Sequence, residues 1–79
     1  MVTVRLFAAA AEAAGVDEAS MTHEPSVAAL REALAARFGA DFSRVLKQCS
    51  IVVNRTRASD DVPVPAGALV DVLPPFAGG

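Results

Sequence analysis

The sequence predicts an α+β domain in which one amphipathic helix covers a single face of a small mixed sheet. Three observations carry that expectation. Apolar residues alternate near both ends of the chain, with Val2, Val4 and Leu6 at the start and Val70 and Val72 toward the finish. Between them Val27, Leu30, Leu34 and Phe38 recur at spacings of three, four and four, a single helical stripe. The 79 residues suffice for one domain and are too few for two. One helix with one apolar stripe covers one sheet face and leaves the other uncovered.

Residues 2–7 alternate and are rich in β-branched side chains, which predicts a strand with Val2, Val4 and Leu6 inward. The Ala-rich run 8–14 ends at Gly15, as a short helix closed by a left-handed residue does. Residues 17–23 predict a short, polar edge strand. Ser26 then caps the main helix, alanines at 28, 29, 33, 35 and 36 add helicity, and Gly39 closes it. Residues 41–46 predict further helical turns with Phe42, Val45 and Leu46 inward, and 50–54 a short buried strand. Residues 54–57 read as a turn into a brief partner strand, although 55–61 is polar for a hairpin. Residues 60–67 hold two prolines and a glycine and predict a loop. The last strand spans 68–73 and stops at Pro74-Pro75. The first and last strands are the most apolar and so the expected centre of the sheet. This order is that of the β-grasp, the fold of ubiquitin; periodicity alone also admits a split βαβ arrangement. The expected organisation is a β-grasp body over 1–73 and an extended tail over 74–79.

The composition excludes several functions. A net charge of −2, a pI near 5.1 and seven scattered basic residues do not make a nucleic-acid surface. No apolar stretch approaches the ~20 residues of a spanning helix, and no basic segment precedes an apolar run at the start. A soluble cytoplasmic protein is the expectation. One Cys excludes an internal disulfide, and one His makes a protein-only metal site improbable.

Conventional catalytic groups are sparse. His23 falls in the weak strand with no evident orienting partner, and Cys49, ahead of an apolar strand, reads as a small buried hydrophobe. Asp60 and Asp61 are adjacent on a loop and point apart, as in a solvated turn. No Gly-rich phosphate loop occurs, so no nucleotide or other cofactor is expected to be held by this chain. The final Phe76-Ala77-Gly78-Gly79 is the exception. A diglycine end lacks Cβ atoms and threads a channel that admits only backbone; it also presents an unhindered carboxylate. Pro74-Pro75 restricts the base of the tail to extended geometry, which lowers the entropy lost on docking. Six extended residues reach about 20 Å, enough to enter a neighbouring protein.

The opening V-x-V-R-L-F-A, the helix S-V-A-A-L-R-E-A-L, the strand I-V-V-N and the ending L-P-P-F-A-G-G resemble the small, sulfur-carrier subunit family of molybdopterin synthase along the whole chain. The ending is the most specific piece. The thiamine-pathway sulfur carriers share the fold and the final glycines but usually lack the Pro-Pro step. The resemblance implies a non-catalytic sulfur-donor subunit. An E1-like enzyme would use ATP to adenylate the Gly79 carboxylate, and sulfur from a persulfide donor of rhodanese type would replace the adenylate. The thiocarboxylate would then enter the large subunit of a heterotetramer, with Gly78, Ala77 and Phe76 as the inserted segment, and convert precursor Z. Two alternatives stay open: a carrier for thiamine or cysteine synthesis, and a ubiquitin-like modifier joined to lysines.

Strand parity adds a partner surface. With Val2, Val4 and Leu6 inward, Thr3, Arg5 and Phe7 face the uncovered side, as do Leu69, Asp71 and Leu73. Phe7, Leu69, Leu73, Pro74 and Pro75 are the expected partner-binding residues.

Overall fold

Val2, Val4 and Leu6 are enclosed while Thr3 and Arg5 between them are half-buried, so Val2–Leu6 forms strand β1 with one face in the core. The computed structural model describes residues 1–75. After β1 the chain turns at Ala8, which takes a left-handed φ of 48°, into helix α1 (Ala8–Ala14). Gly15 at φ 82° ends α1, its N–H donating to the Ala11 carbonyl at 2.8 Å, the closure expected of a C-terminal glycine.

Strand β2 (Glu18–Met21) pairs antiparallel with β1 at the sheet edge. It is shorter than the expected 17–23, because His23 has already left the sheet. Helix α2 (Val27–Phe38) starts at Ser26, whose Oγ accepts from Ala29 N at 3.2 Å. Two further N–H groups of its first turn, on Val27 and Ala28, donate to the carbonyls of Val62 and Asp60 at 3.0 and 2.9 Å. The 60–67 segment is thus a loop, as expected, but a packed one: it satisfies orphan donors of the helix start and buries Val64.

Gly39 joins α2 to α3 (Ala40–Leu46), and Phe42 and Leu46 of α3 are buried. Strand β3 (Ser50–Val53) turns through Asn54 and Arg55, both at positive φ, into β4 (Thr56–Ala58). Strand β5 (Leu69–Leu73) follows the loop.

The sheet order is β2-β1-β5-β3-β4, with β1 and β5 parallel and the other neighbours antiparallel. The first and last strands, β1 and β5, lie inside the sheet, as expected of a β-grasp. The core gathers Val2, Val4, Leu6, Ile51, Val70 and Val72 from the sheet against Leu30, Leu34 and Phe42 from the helices. Among the described residues no helix covers the opposite face, and β3 shows this: Ile51 and Val53 are buried, but Ser50 and Val52 are only half-buried. The short buried strand expected at 50–54 is thus buried on its helix-facing side.

Arg31 of α2 ties the layers together. Its Nη1 and Nη2 donate to the carbonyls of Leu46 and Cys49 at 2.7 and 2.8 Å, and its Nε to Asp60 Oδ1 at 2.9 Å. The end of α3, the entry to β3 and the 60–67 loop are therefore held by one side chain.

Candidate functional site

The uncovered face is built by register. Arg5 lies opposite Glu18 on β2 and Asp71 on β5; Asp71 lies opposite Val52 on β3, and Val52 opposite Arg57 on β4. One row of side chains thus crosses all five strands. Thr3 and Leu69 form part of the row on one side of it, and Leu73 and Ser50 part of the row on the other. The parity expected for Thr3, Arg5, Leu69, Asp71 and Leu73 is the parity observed.

The apolar residues are not contiguous, however. Arg5 and Asp71 form a two-point ion pair, Nε to Oδ1 at 2.7 Å and Nη2 to Oδ2 at 2.9 Å. Asp71 sits between Leu69 and Leu73 on β5, so the pair divides the patch. The Asp71 hydrogen bond, with the charges of Asp71 and Glu18 adding to it against the opposing effect of burial, raises the Arg5 guanidinium above its ordinary value. Arg5 also lies 5.8 Å from the centre of the Phe7 ring, and Phe7 is 37% exposed. Opposite charges at matching parity on the first and last strands were the signal in the sequence for this pair; it needed the parallel register to be read.

A groove of about 400 Å³ runs beside this face, lined by Arg5, Phe7, Ala8, Ala11, Asp17 and Glu18. At the far end of β5 the two prolines part company. Pro74 is buried and Pro75 exposed. Pro74 was expected to be free for a partner; instead it is covered by its own chain, at the edge of a cleft shared with Ala9, Arg44, Val45 and Gln48. The body therefore continues one residue past Leu73. Phe76, Ala77, Gly78 and Gly79, the expected inserted segment, lie outside the described residues.

The remaining candidates are structural. His23 is exposed and lies outside β2, and its Nε2 donates to the Val64 carbonyl at 2.5 Å, a partner absent from the sequence reading. Cys49 is 5% exposed; burial pushes its thiol up, against the opposing charge of Arg31. Asp60 and Asp61 are exposed and turn to different partners, Arg31 and the Ser59 hydroxyl. The Ser59 bond, with the backbone, holds the Asp61 carboxyl below its usual range. Among the described residues no group of His, Cys, Asp and Glu could hold a metal ion, and no helix is long and apolar enough to cross a membrane. The described residues form a packed body with a partly apolar open face, and the chain continues from Pro75.

Comparison with known proteins agrees with that picture. The ThiS family profile matches residues 4–79. The small archaeal modifier protein SAMP1 from Haloferax volcanii is 25% identical with a TM-score of 0.79, covering 99% of this chain and 98% of its own. A candidate molybdopterin converting factor subunit 1 from Pyrococcus furiosus is 27% identical with a TM-score of 0.73, covering 94% and 95%. Subunits 1 and 2 of molybdopterin-converting factor from Helicobacter pylori, solved as a complex, give 23% identity, a TM-score of 0.72 and coverage of 99% and 97%, a likeness of fold. No curated protein matches the chain in sequence.

Proposed function

The chain belongs to the ThiS family, and from that membership we propose that it is the sulfur carrier of molybdopterin synthase, with the Gly79 carboxylate as its reagent. The observation that carries the reading is the extent of the family match, which runs to residue 79 and so takes in Gly78-Gly79. The likeness to the Pyrococcus furiosus subunit supports the choice of pathway.

The proposed steps need no side chain of this protein as acid, base or metal ligand, which suits a domain whose His23, Cys49, Asp60 and Asp61 all have structural explanations. An E1-like enzyme adenylates the Gly79 carboxylate with ATP, releasing pyrophosphate. A persulfide sulfur then attacks the acyl carbon and AMP leaves, and a second thiol of the donor system cleaves the resulting acyl disulfide, closing a disulfide with the donor sulfur and releasing the thiocarboxylate. Splitting the exchange in this way replaces one poor leaving group, oxide, by a good one. The product thiocarboxylate is anionic at neutral pH and more nucleophilic than a carboxylate. In this reading Phe76, Ala77 and Gly78 carry it into the large subunit, where it delivers sulfur to precursor Z in the cytoplasm. Phe7, Leu69, Leu73 and Pro75 meet the large subunit around the entry. The Helicobacter pylori complex supports a second subunit as the partner.

Incubation with the activating enzyme, ATP and a sulfur source should raise the intact mass by the exchange of one oxygen for one sulfur at the last residue. An unchanged mass defeats the proposal. A second reading is favoured by the likeness to SAMP1: a modifier joined through Gly79 to lysines of other proteins. Isopeptide-linked adducts in cells, surviving reduction and removed by a protease, would select it. A carrier for thiamine or cysteine synthesis keeps the same chemistry, and the protein that accepts the sulfur distinguishes it.

A further inference from the structure

Two clefts meet at Pro74 and Pro75, and each carries an arginine. The first, about 220 Å³, lies on the helical side and is lined by Ala9, Arg44, Val45 and Gln48 with the two prolines. The second, about 450 Å³, lies on the open-face side, where Ser50, Val52, Arg57 and Leu73 line it together with Gln48 and the same prolines. The root of the tail is thus flanked by a guanidinium from α3 and another from β4.

Arg57 Nη2 donates to the Ser50 hydroxyl at 3.0 Å, a neutral partner that orients the charge without cancelling it. Arg44 pairs with Asp41 one turn earlier in α3, and both are largely exposed. Lys47, next in the chain to Gln48, is exposed and has no ion-pair partner among the described residues. Two arginines thus line the clefts at this point, with Lys47 exposed next to Gln48 in the chain, against one paired carboxylate, Asp41, in a chain whose net charge is −2. At the opposite edge of the sheet Asp17 and Glu18 are exposed, next to Arg5 in the groove and with Arg37 held on the Ser20 carbonyl.

We propose that Arg44, Lys47 and Arg57 form a cationic collar around the tail root, and that the protein receiving the tail carries carboxylates around the mouth of its channel. The inference rests on tail insertion as read above and adds the chemistry of the mouth. Four residues separate Pro75 from the end of Gly79, so the root stands at most about 14 Å from the reacting carbon. With the tail fully inserted, the collar is therefore held at the rim of the partner's channel. Charges at such a rim act mainly on encounter: they raise the association rate, and salt screens them. Because the chain as a whole is acidic, a partner's carboxylates gain from approach at this point and lose from approach at the β2 edge, which sets the orientation of docking.

The test measures the association rate of the purified large subunit from the same genome at about 50 mM and about 500 mM salt. Arg44→Gln/Arg57→Gln should slow association about tenfold at low salt and converge with the unaltered protein at high salt. Arg44→Lys/Arg57→Lys should keep the rate. Ala28→Glu/Ala36→Glu, which shifts net charge equally on exposed positions of α2, should also keep it. Equal rates for the glutamine and unaltered proteins overturn the collar, as does an equal loss in the α2 variant. If the unaltered protein does not bind the large subunit at all, the tail-insertion reading fails and takes the collar with it; binding with an insensitive collar removes the collar alone.

Discussion

Arg5 on β1 grips Asp71 on β5 through both carboxylate oxygens, 66 residues apart in sequence. The pair joins the first strand to the last in the parallel ladder of the sheet, two residues before β5 ends at the prolines. It therefore links the register of the body to the starting point of the tail. It also gives the open face a polar centre, so a partner must match a charge pair flanked by Phe7, Leu69 and Leu73 instead of a dry patch.

Replacing either member alone, as Arg5→Ala or Asp71→Ala, should lower the urea midpoint of unfolding slightly and weaken binding of the large subunit more. The swapped pair Arg5→Asp/Asp71→Arg should recover most of the stability but not the binding, because it reverses the charges the partner meets. Equilibrium unfolding and a binding titration on the four proteins check both halves.

Arg31 tethers three segments outside the core. Two of its three bonds go to main-chain carbonyls, that of Leu46 at the end of α3, which also accepts from the Cys49 N–H, and that of Cys49 before β3. Arg31→Met keeps the aliphatic stem and removes the donors, so it should cost about 2–4 kcal/mol of stability. Arg31→Lys has fewer donors and no fork, and should recover less than half. Denaturant unfolding with constant m-value checks the size of each loss.

Much of this fold was legible because its elements obey simple periods. The alternation at 2–6 and 69–73, the stripe from Val27 to Phe38 and the caps at Ser26, Gly15 and Gly39 act locally, so sequence alone revealed them. What escaped depends on contacts between distant segments. Arg31 reads as one more charged residue on the polar side of a helix until α3 and the 60–67 loop are packed beside it. Pro74 reads as the start of a free tail until the fold buries it at the edge of the cleft that Ala9 and Val45 also line. The open face was legible by parity, but its division by Asp71 required knowing that β1 and β5 are parallel. The Asn54-Arg55 turn was expected; that Asn54 also accepts from Leu69 N through its side chain, at 2.9 Å, extending the β3–β5 pairing, was not.

Among the described residues, Ala8 is the one exposed alanine held at left-handed φ, at 48°. That conformation costs an L-residue about 1–2 kcal/mol, while glycine's extra freedom in the unfolded chain costs about 0.4–1 kcal/mol. Ala8→Gly should therefore stabilise the protein by about 0.5–1 kcal/mol, and a β-branched Ala8→Val should destabilise it. Thermal midpoints of the two variants should move in opposite directions.

Cys49 supplies a pH dependence. Burial raises its thiol pKa, so on raising the pH the unfolded chain releases this proton before the folded one does. Its contribution to stability is complete below the ordinary thiol range, about 8.5, and is lost as pH rises through the folded value. Between about pH 8 and 10 the unaltered protein should lose stability more steeply than Cys49→Ala. At neutral pH the thiol should react with a disulfide reagent only as fast as the fold opens. A rapid full-amplitude reaction in native buffer would contradict the burial.

Deleting Gly79 separates the tail from the body. The core runs from Val2 to Val72, with Pro74 buried beyond it, so nothing in the described packing draws on the last residue. The shortened protein should unfold at the same temperature as the full chain. It still ends in a glycine carboxylate, but that carboxylate stops about 3.3–3.6 Å short. A misplacement of 1 Å can cost about 100-fold in rate, so a whole residue should reduce sulfur delivery below detection even if adenylation survives. One alanine added after Gly79 should fail in the same way, through overshoot and a Cβ at the reacting residue. Normal sulfur delivery by either variant, with its altered end verified by mass, would mean that some other group carries the sulfur.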